Sequence, residues 1–367
     1  DVVNLSVGEP DLPTPDHIKE AARRAIANDL TRYTPAAGTP ELRRAICDWL
    51  RERQGLAYEP DRVVVSMGAK HAIMNAVQVL VDRGDQVIIP APYWVSYPEM
   101  VKVAEGEGVV VPMPQEEGFR LSPETLAAAI TPRTRALFLT NPSNPTGAAY
   151  TAGQLRALAE VVLAHDLYVI ADEIYSNLVY DGFPFTSFAS LGEEVKARTI
   201  LVNGVSKSYC MTGWRIGFAA GPAEVMTAVA RLQSHSTSNP CSIAQEAARA
   251  AFAGPQEEVE AMREEFGRRR KYVLGRLAEL PGVTCPEPEG AFYVFPDVSA
   301  LYPRRHGGRP LGDAFGLALY LLEEARVAAV PGDPFGAPAN IRFSYADSMA
   351  NLEKAFDRIA RALDKLD

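Results

Sequence analysis

The sequence predicts an α/β fold: a mainly parallel sheet covered by helices on both faces, followed by a smaller α+β unit. Three observations carry that expectation. Strand-like apolar runs alternate with helical patterns from about residue 63 to residue 220, the rhythm of strand–helix–strand units. No internal repeat or low-complexity tract interrupts the series. The chain has 367 residues, more than one compact core usually holds, so two domains, or one large domain with a smaller one appended, are expected.

The chain opens at Asp1 without a methionine, and residues preceding it are expected. Val2 to Asp11 is a short apolar segment broken by Gly8 and Pro10, and Thr14-Pro15 reads as the N-cap and first residue of a helix over about 15–28. Thr31 to Gly38 is a loop; Thr39-Pro40-Glu41-Leu42 opens the next helix. Strands are expected at Val63 to Ser66, Gln86 to Pro90, Val109 to Met113, Ala136 to Thr140, Tyr168 to Asp172, Thr199 to Asn203 and Arg215 to Ala220. Gly68-Ala69-Lys70 lies between the first of these and a helix over His71 to Leu80. Ser122-Pro123-Glu124 starts a helix, and Thr151 to Gln154 fits a capping box.

A charged helical tract from about Pro255 to Leu280 leads into the last hundred residues. There, strands near Gly290 to Phe295, Val327 to Val330 and Ile341 to Tyr345 precede a final helix whose apolar stripe is Leu352, Phe356, Ile359 and Leu363. The domain division expected is an N-terminal segment 1–28 that packs with the small domain, a large domain 29–265 and a small domain 266–367.

Bulk properties exclude several classes. Lys plus Arg number 37 against 46 Asp plus Glu, a net charge of −9 that disfavours nucleic acid or an anionic membrane as partner. No apolar run approaches the roughly 20 residues of a membrane span. Cys47, Cys210, Cys241 and Cys285 are scattered without a C-x-x-C pair, which reads as free thiols in a reducing cytoplasm. His17, His71, His165, His235 and His306 form no metal-binding pattern. The absence of a G-x-G-x-x-G after an early strand argues against a nicotinamide dehydrogenase.

Open α/β sheets collect ligands beyond the carboxyl ends of their strands, and residues with chemistry to offer fall there: Asn144 after one strand, Asp172 at the end of the next, Lys207 after another. Lys207 sits in a small-residue loop, and a lysine whose surroundings favour the neutral amine becomes a nucleophile. The fork of Arg215 suits a phosphate, as do the free N–H groups at the helix start Gly68-Ala69-Lys70. Arg342 interrupts an apolar strand pattern, and because an unpaired buried guanidinium is costly it is expected to grip something.

Asn144-Pro145-Thr146-Gly147, Asp172-Glu173-Ile174-Tyr175 and Ser206-Lys207 with Gly213 and Arg215 occur in the order and at the separations of one family. The sequence resembles, over nearly its whole length, the fold-type I, pyridoxal-phosphate-dependent class I aminotransferases. It is most similar to their bacterial subgroup that handles aspartate and, in some members, prephenate or aromatic amino acids. The resemblance implies that Lys207 joins pyridoxal 5'-phosphate as a Schiff base and shuttles the substrate's proton. Asp172 would keep the pyridine nitrogen protonated, Tyr175 and Asn144 would hold the phenolate oxygen, and Trp94 would stack on the ring. Gly68, Ala69, Lys70, Ser206 and Arg215 would bind the phosphate, joined by Tyr33 of the other subunit in a homodimer with shared sites.

Arg342 would take the substrate's α-carboxylate, near the backbone of Gly8 and close to Asn144 and Trp94; Lys70 and Ser6 would approach the distal carboxylate of an acidic substrate. One departure stands out. Many relatives carry serine three residues before the lysine, where this chain has Gly204, so a phosphate contact is missing or replaced. The activity expected is ping-pong transfer of an amino group from aspartate or glutamate, with prephenate or aromatic partners, to a 2-oxo acid. The rivals are a β-lyase on the same fold and a non-catalytic ligand-sensing regulator.

Overall fold

A computed structural model describes residues 1–367. In chain order the elements that build the site are β1 (Val3–Asn4), α1 (Asp16–Ala27), α2 (Pro40–Gln54), β2 (Val63–Ser66), α3 (Ala69–Leu80), β3 (Gln86–Ala91), β4 (Glu107–Pro112), β5 (Thr134–Thr140), β6 (Tyr168–Asp172), β7 (Thr199–Gly204) and β8 (Gly217–Ala220). The last seven strands form one sheet in the order β2-β8-β7-β6-β5-β3-β4. It is mainly parallel, as predicted; β8 alone runs antiparallel to both neighbours.

Strands β2, β3, β6, β7 and β8 are buried at every position, because helices cover both faces and leave no solvated side to alternate toward. The edge strand β4 is largely exposed and carries Glu107, which pairs with Arg133 at 2.8 Å. A charged edge of this kind discourages pairing with another chain.

Local chemistry explains most of the boundaries. Thr39 caps α2 by accepting from the Leu42 amide, Pro40 supplies the first turn, and Gly55 ends it in the left-handed region at φ 68°. Both reciprocal bonds of the capping box at Thr151 and Gln154 are present. Helix α1 departs from expectation: it begins at Asp16 without a side-chain cap. Thr14 instead donates to the Cys210 carbonyl at 2.7 Å and accepts from Trp214 Nε1 at 3.1 Å, so its hydroxyl ties the N-terminal segment to the lysine loop.

Arg215 is not in a strand, since its φ of 59° breaks the extended run, and β8 starts only at Gly217. Helix α3 starts two residues before His71, at Ala69.

Beyond the helix Glu257–Ala278, a three-stranded antiparallel sheet joins Val330–Pro331, Ile341–Ser344 and Tyr293–Val294. The apolar run expected from Val327 to Val330 divides at Ala329, because Val327–Ala328 pairs in parallel with β1 instead. All four residues of the final stripe, Leu352, Phe356, Ile359 and Leu363, are buried on the helix Met349–Leu363.

Val3 and Leu5 share the apolar cluster of these C-terminal elements, whereas Ile18 and Ala22 of α1 pack with α2 and β2. Arg269, buried on the long helix, pairs with Asp11 at 2.7 Å and pins the intervening segment.

Candidate active site

Adjacent strand ends set the floor of the site. The parallel register of β5 and β6 places Thr140 beside Asp172, and the lysine loop follows β7 on the other side. Above them lies a cavity of about 400 Å³ whose walls include Gly8, Ala69, Lys70, Trp94, Asn144, Asp172, Tyr175, Ser206, Lys207, Arg215 and Arg342. Eleven sequence-predicted residues, scattered from position 8 to position 342, thus share one space.

Lys207 is half-buried, and its Nζ donates to the Gly8 carbonyl at 2.6 Å. Desolvation pushes its pKa down to about 8; Arg215 and Arg342 add to the effect, while Glu9 and Asp172 oppose it. A neutral amine is therefore accessible near physiological pH. Asp172 is buried, and burial raises its pKa. The bonds it accepts, from Tyr97 Oη at 2.7 Å and the Ile174 amide at 3.3 Å, oppose that rise by stabilising the carboxylate.

Two regions of the wall carry positive charge. Arg342, buried on Ile341–Ser344, donates to Asn144 Oδ1 at 2.8 Å and to the Ser6 carbonyl at 2.7 Å, and its ring neighbours are Tyr293 and Phe335. Its Nε has no partner. Arg215 donates to the carbonyls of Thr212, at 2.9 Å, and Met67, at 3.3 Å. A Cβ on Gly68, whose φ is 87°, would overlap the Arg215 guanidinium, so glycine is what lets strand, turn and arginine meet. The adjoining N-terminus of α3 has no side-chain cap.

Lys70, Lys207, Arg215 and Arg342 all reach this cavity, and none forms a salt bridge with an acidic side chain. Their charge is matched to an anionic ligand.

Three predicted residues lie outside the lining. Tyr33 is 92% exposed on its loop. Ser6 turns its hydroxyl to Asn4 Oδ1 at 2.6 Å and meets Arg342 only through its backbone carbonyl. Gly68 acts behind the lining, by admitting Arg215. Gly204 is also outside: a Cβ there would stand 2.8 Å from Gly217 Cα and 2.9 Å from the Ile216 carbonyl.

Sequence reasoning missed Ile73, Tyr97, Thr140, Ile174, Thr212 and Tyr293. Tyr97 stands three residues after Trp94, in the first turn of the helix Ser96–Val103, and packs edge-on to it with centroids 5.5 Å apart. That spacing was visible; the bonds to Asp172 and to Thr140, at 2.8 Å, were not. Tyr293, whose hydroxyl meets that of Tyr175 at 2.9 Å, lay within a predicted strand and no motif singled it out.

The pattern that describes aminotransferase class I and II matches residues 1–359. An aspartate aminotransferase of Geobacillus stearothermophilus is 52% identical over 364 residues, 99% of this chain and 92% of that protein. An aspartate/prephenate aminotransferase of Cereibacter sphaeroides is 51% identical over 361 residues, 98% of this chain and 90% of that one. The crystal structure of the aspartate aminotransferase from Rhizobium meliloti superimposes with a TM-score of 0.97 at 46% identity, covering 100% of this chain and 92% of that one.

Proposed function

The chain belongs to the class I and II aminotransferase family, and from that premise we propose that its donor is a dicarboxylic amino acid, aspartate or glutamate, with prephenate or an aromatic 2-oxo acid among its acceptors. It is an aminotransferase that uses pyridoxal 5'-phosphate. The cavity fits that cofactor: unpaired cations beside an uncapped helix start suit its phosphate, and the buried Asp172 suits a cationic ring nitrogen.

Bound, the cofactor supplies an electron-accepting ring that accommodates the charge left when the substrate's α-proton departs. Each side chain then has a task set by its place. Asp172 would keep a proton on the pyridine nitrogen, and Tyr97 holds the Asp172 carboxylate in position. Lys207 Nζ would be the group that holds and moves the substrate's α-proton. Trp94 would cover one face of the ring, and Asn144 and Tyr175 would hold its phenolate oxygen. Ala69, Ser206 and Arg215 would hold the phosphate. Arg342 takes the α-carboxylate, its two Nη groups already levelled by Asn144 and Ser6.

Lys70 sits at the wall with its Nζ 4.8 Å from the Trp94 ring centroid and carries the distal carboxylate preference. The observation that carries the reading is the convergence of Asp172 and four cations without acidic partners, Lys207 among them, on one cavity. Its test is a panel of amino donors against 2-oxoglutarate, oxaloacetate and prephenate, run on the wild type and on Lys70→Ala. The variant should lose activity with aspartate and glutamate about tenfold more than with neutral donors, the worth of one charge-assisted hydrogen bond. Equal losses across the panel would refute the assignment.

The exposed Tyr33, with Ile26 and Leu30 exposed nearby, supports a homodimer in which Tyr33 reaches the neighbouring subunit's phosphate. No helix is long and apolar enough to cross a membrane, and the four cysteines are free; both fit a cytoplasmic location. A large domain 29–265 and a small domain 266–367, with Val3 and Leu5 leaning on the latter and helix α1, against the expectation for 1–28, on the former, would yield nicks near the long helix under limited proteolysis.

A further inference from the structure

Gln233 is fully buried on the helix Ala223–Ser236, outside the cavity lining, and every hydrogen-bonding valence of its amide is used. Its Oε1 accepts from Ser66 Oγ at 2.6 Å and from Asn75 Nδ2 at 3.1 Å. Its Nε2 donates to the carbonyls of Ala36, at 2.5 Å, and Val65, at 2.8 Å. Ser66 ends β2, and Asn75 lies within α3. One side chain therefore grips both arms of the strand–turn–helix unit whose apex is Met67-Gly68-Ala69.

That apex is tightly made. The Gly68 amide closes on the Ser66 carbonyl at 2.8 Å, Met67 receives Arg215, and the Gly68 backbone leaves no room for a side chain beside that guanidinium. The angle between β2 and α3 decides where the uncapped amides of α3 and the Arg215 fork point relative to one another. No other side chain bridges Ser66 to Asn75, which are themselves buried. The third contact, to Ala36, ties the loop that carries Tyr33 to the same amide.

We propose that Gln233 is a positioning residue for the phosphate end of the cofactor: it sets the strand-to-helix angle that aligns the α3 amides with Arg215, without touching the ligand itself. The proposal deepens the phosphate-binding role given above to Ala69 and Arg215, and rests on it. A side chain that only filled the core would affect the cofactor's phosphorylated and unphosphorylated forms alike. A residue that aligns the phosphate cradle must act on the phosphate alone.

The test reconstitutes the cofactor-free chain with pyridoxal 5'-phosphate and, separately, with pyridoxal, following bound cofactor by absorbance. Gln233→Leu, close in volume, should reduce the preference for the phosphorylated form about tenfold, the scale of one misaligned charge-assisted hydrogen bond. Ser66→Ala, which releases a single arm and is the milder variant should Gln233→Leu fold poorly, should reduce it about threefold. Arg215→Met serves as the control. If Arg215→Met reduces the preference while both Gln233→Leu and Ser66→Ala leave it unchanged, or weaken the two ligands equally, the positioning role is overturned. If Arg215→Met itself leaves the preference intact, the phosphate site has been misplaced and the inference fails with it.

Discussion

Lys207 carries the clearest pH consequence. Its amine titrates at about 8 in the folded chain against an ordinary 10.5, so between those values the unfolded chain holds more protons and stability rises with pH. Below pH 8 the buried charge costs roughly 3 kcal/mol at most, from about 1.4 kcal/mol per pH unit. Lys207→Met should therefore stabilise the cofactor-free protein at pH 6 to 7, with the gain fading as pH rises from about 8 to 10.5; denaturant melts at several pH values would show it, and a pH-independent difference would contradict it. Tyr97→Phe acts on the other titrating group. Without the Tyr97 hydroxyl the Asp172 carboxylate loses a donor, its pKa climbs further, and the acid limb of kcat/KM should move to higher pH with about a tenfold fall in kcat. An unmoved limb would show that Tyr97 does not support the carboxylate. Neither residue's partner could be read from the sequence, because the Tyr97–Asp172 bond joins positions 75 apart across the sheet.

Secondary structure was legible wherever local chemistry decides it. Apolar runs marked β2 and β6 to the residue, and Thr39-Pro40 and Thr151 with Gln154 announced their helices. Tertiary demands decided the rest: Thr14 was drawn from capping to the lysine loop, and Val327–Ala328 was claimed by β1. The segment Gly8 to Thr14 shows how such demands bear on the site. It is fastened by Lys207 to Gly8, Thr212 to Glu9, Arg269 to Asp11 and Thr14 to Cys210. Asp11→Ala leaves the Arg269 side chain, 5% exposed, with Glu265 alone, and should cost about 2 kcal/mol, less than a fully orphaned buried charge. Because the same segment carries the Gly8 carbonyl, KM for the amino donor should rise more than kcat falls. Steady-state kinetics showing the reverse would detach the segment from substrate binding.

At the scale of the whole molecule, the sheet brings Asn144, Asp172 and Lys207 to one end, and the α+β unit adds Arg342 from more than a hundred residues later. The sequence foretold those four positions through strand ends and motif order; it could not foretell Tyr293, whose role depends on how the C-terminal sheet lies over Tyr175. The proposed homodimer makes its own demand. Mixing Tyr33→Ala with Lys207→Ala subunits should restore activity in hybrids, one site receiving an intact tyrosine from its neighbour; no recovery after subunit exchange would argue that each chain works alone. The contact between Gly204 and Gly217 has a last consequence. A family-guided repair, Gly204→Ser, looks like the return of a lost ligand, yet its side chain would drive β7 and β8 apart and carry Arg215 with them. Such a graft should loosen the cofactor, because a side chain at 204 meets the backbone of Ile216 and Gly217, and Gly217 in turn is pressed against the turn at Gly68 and Ala69.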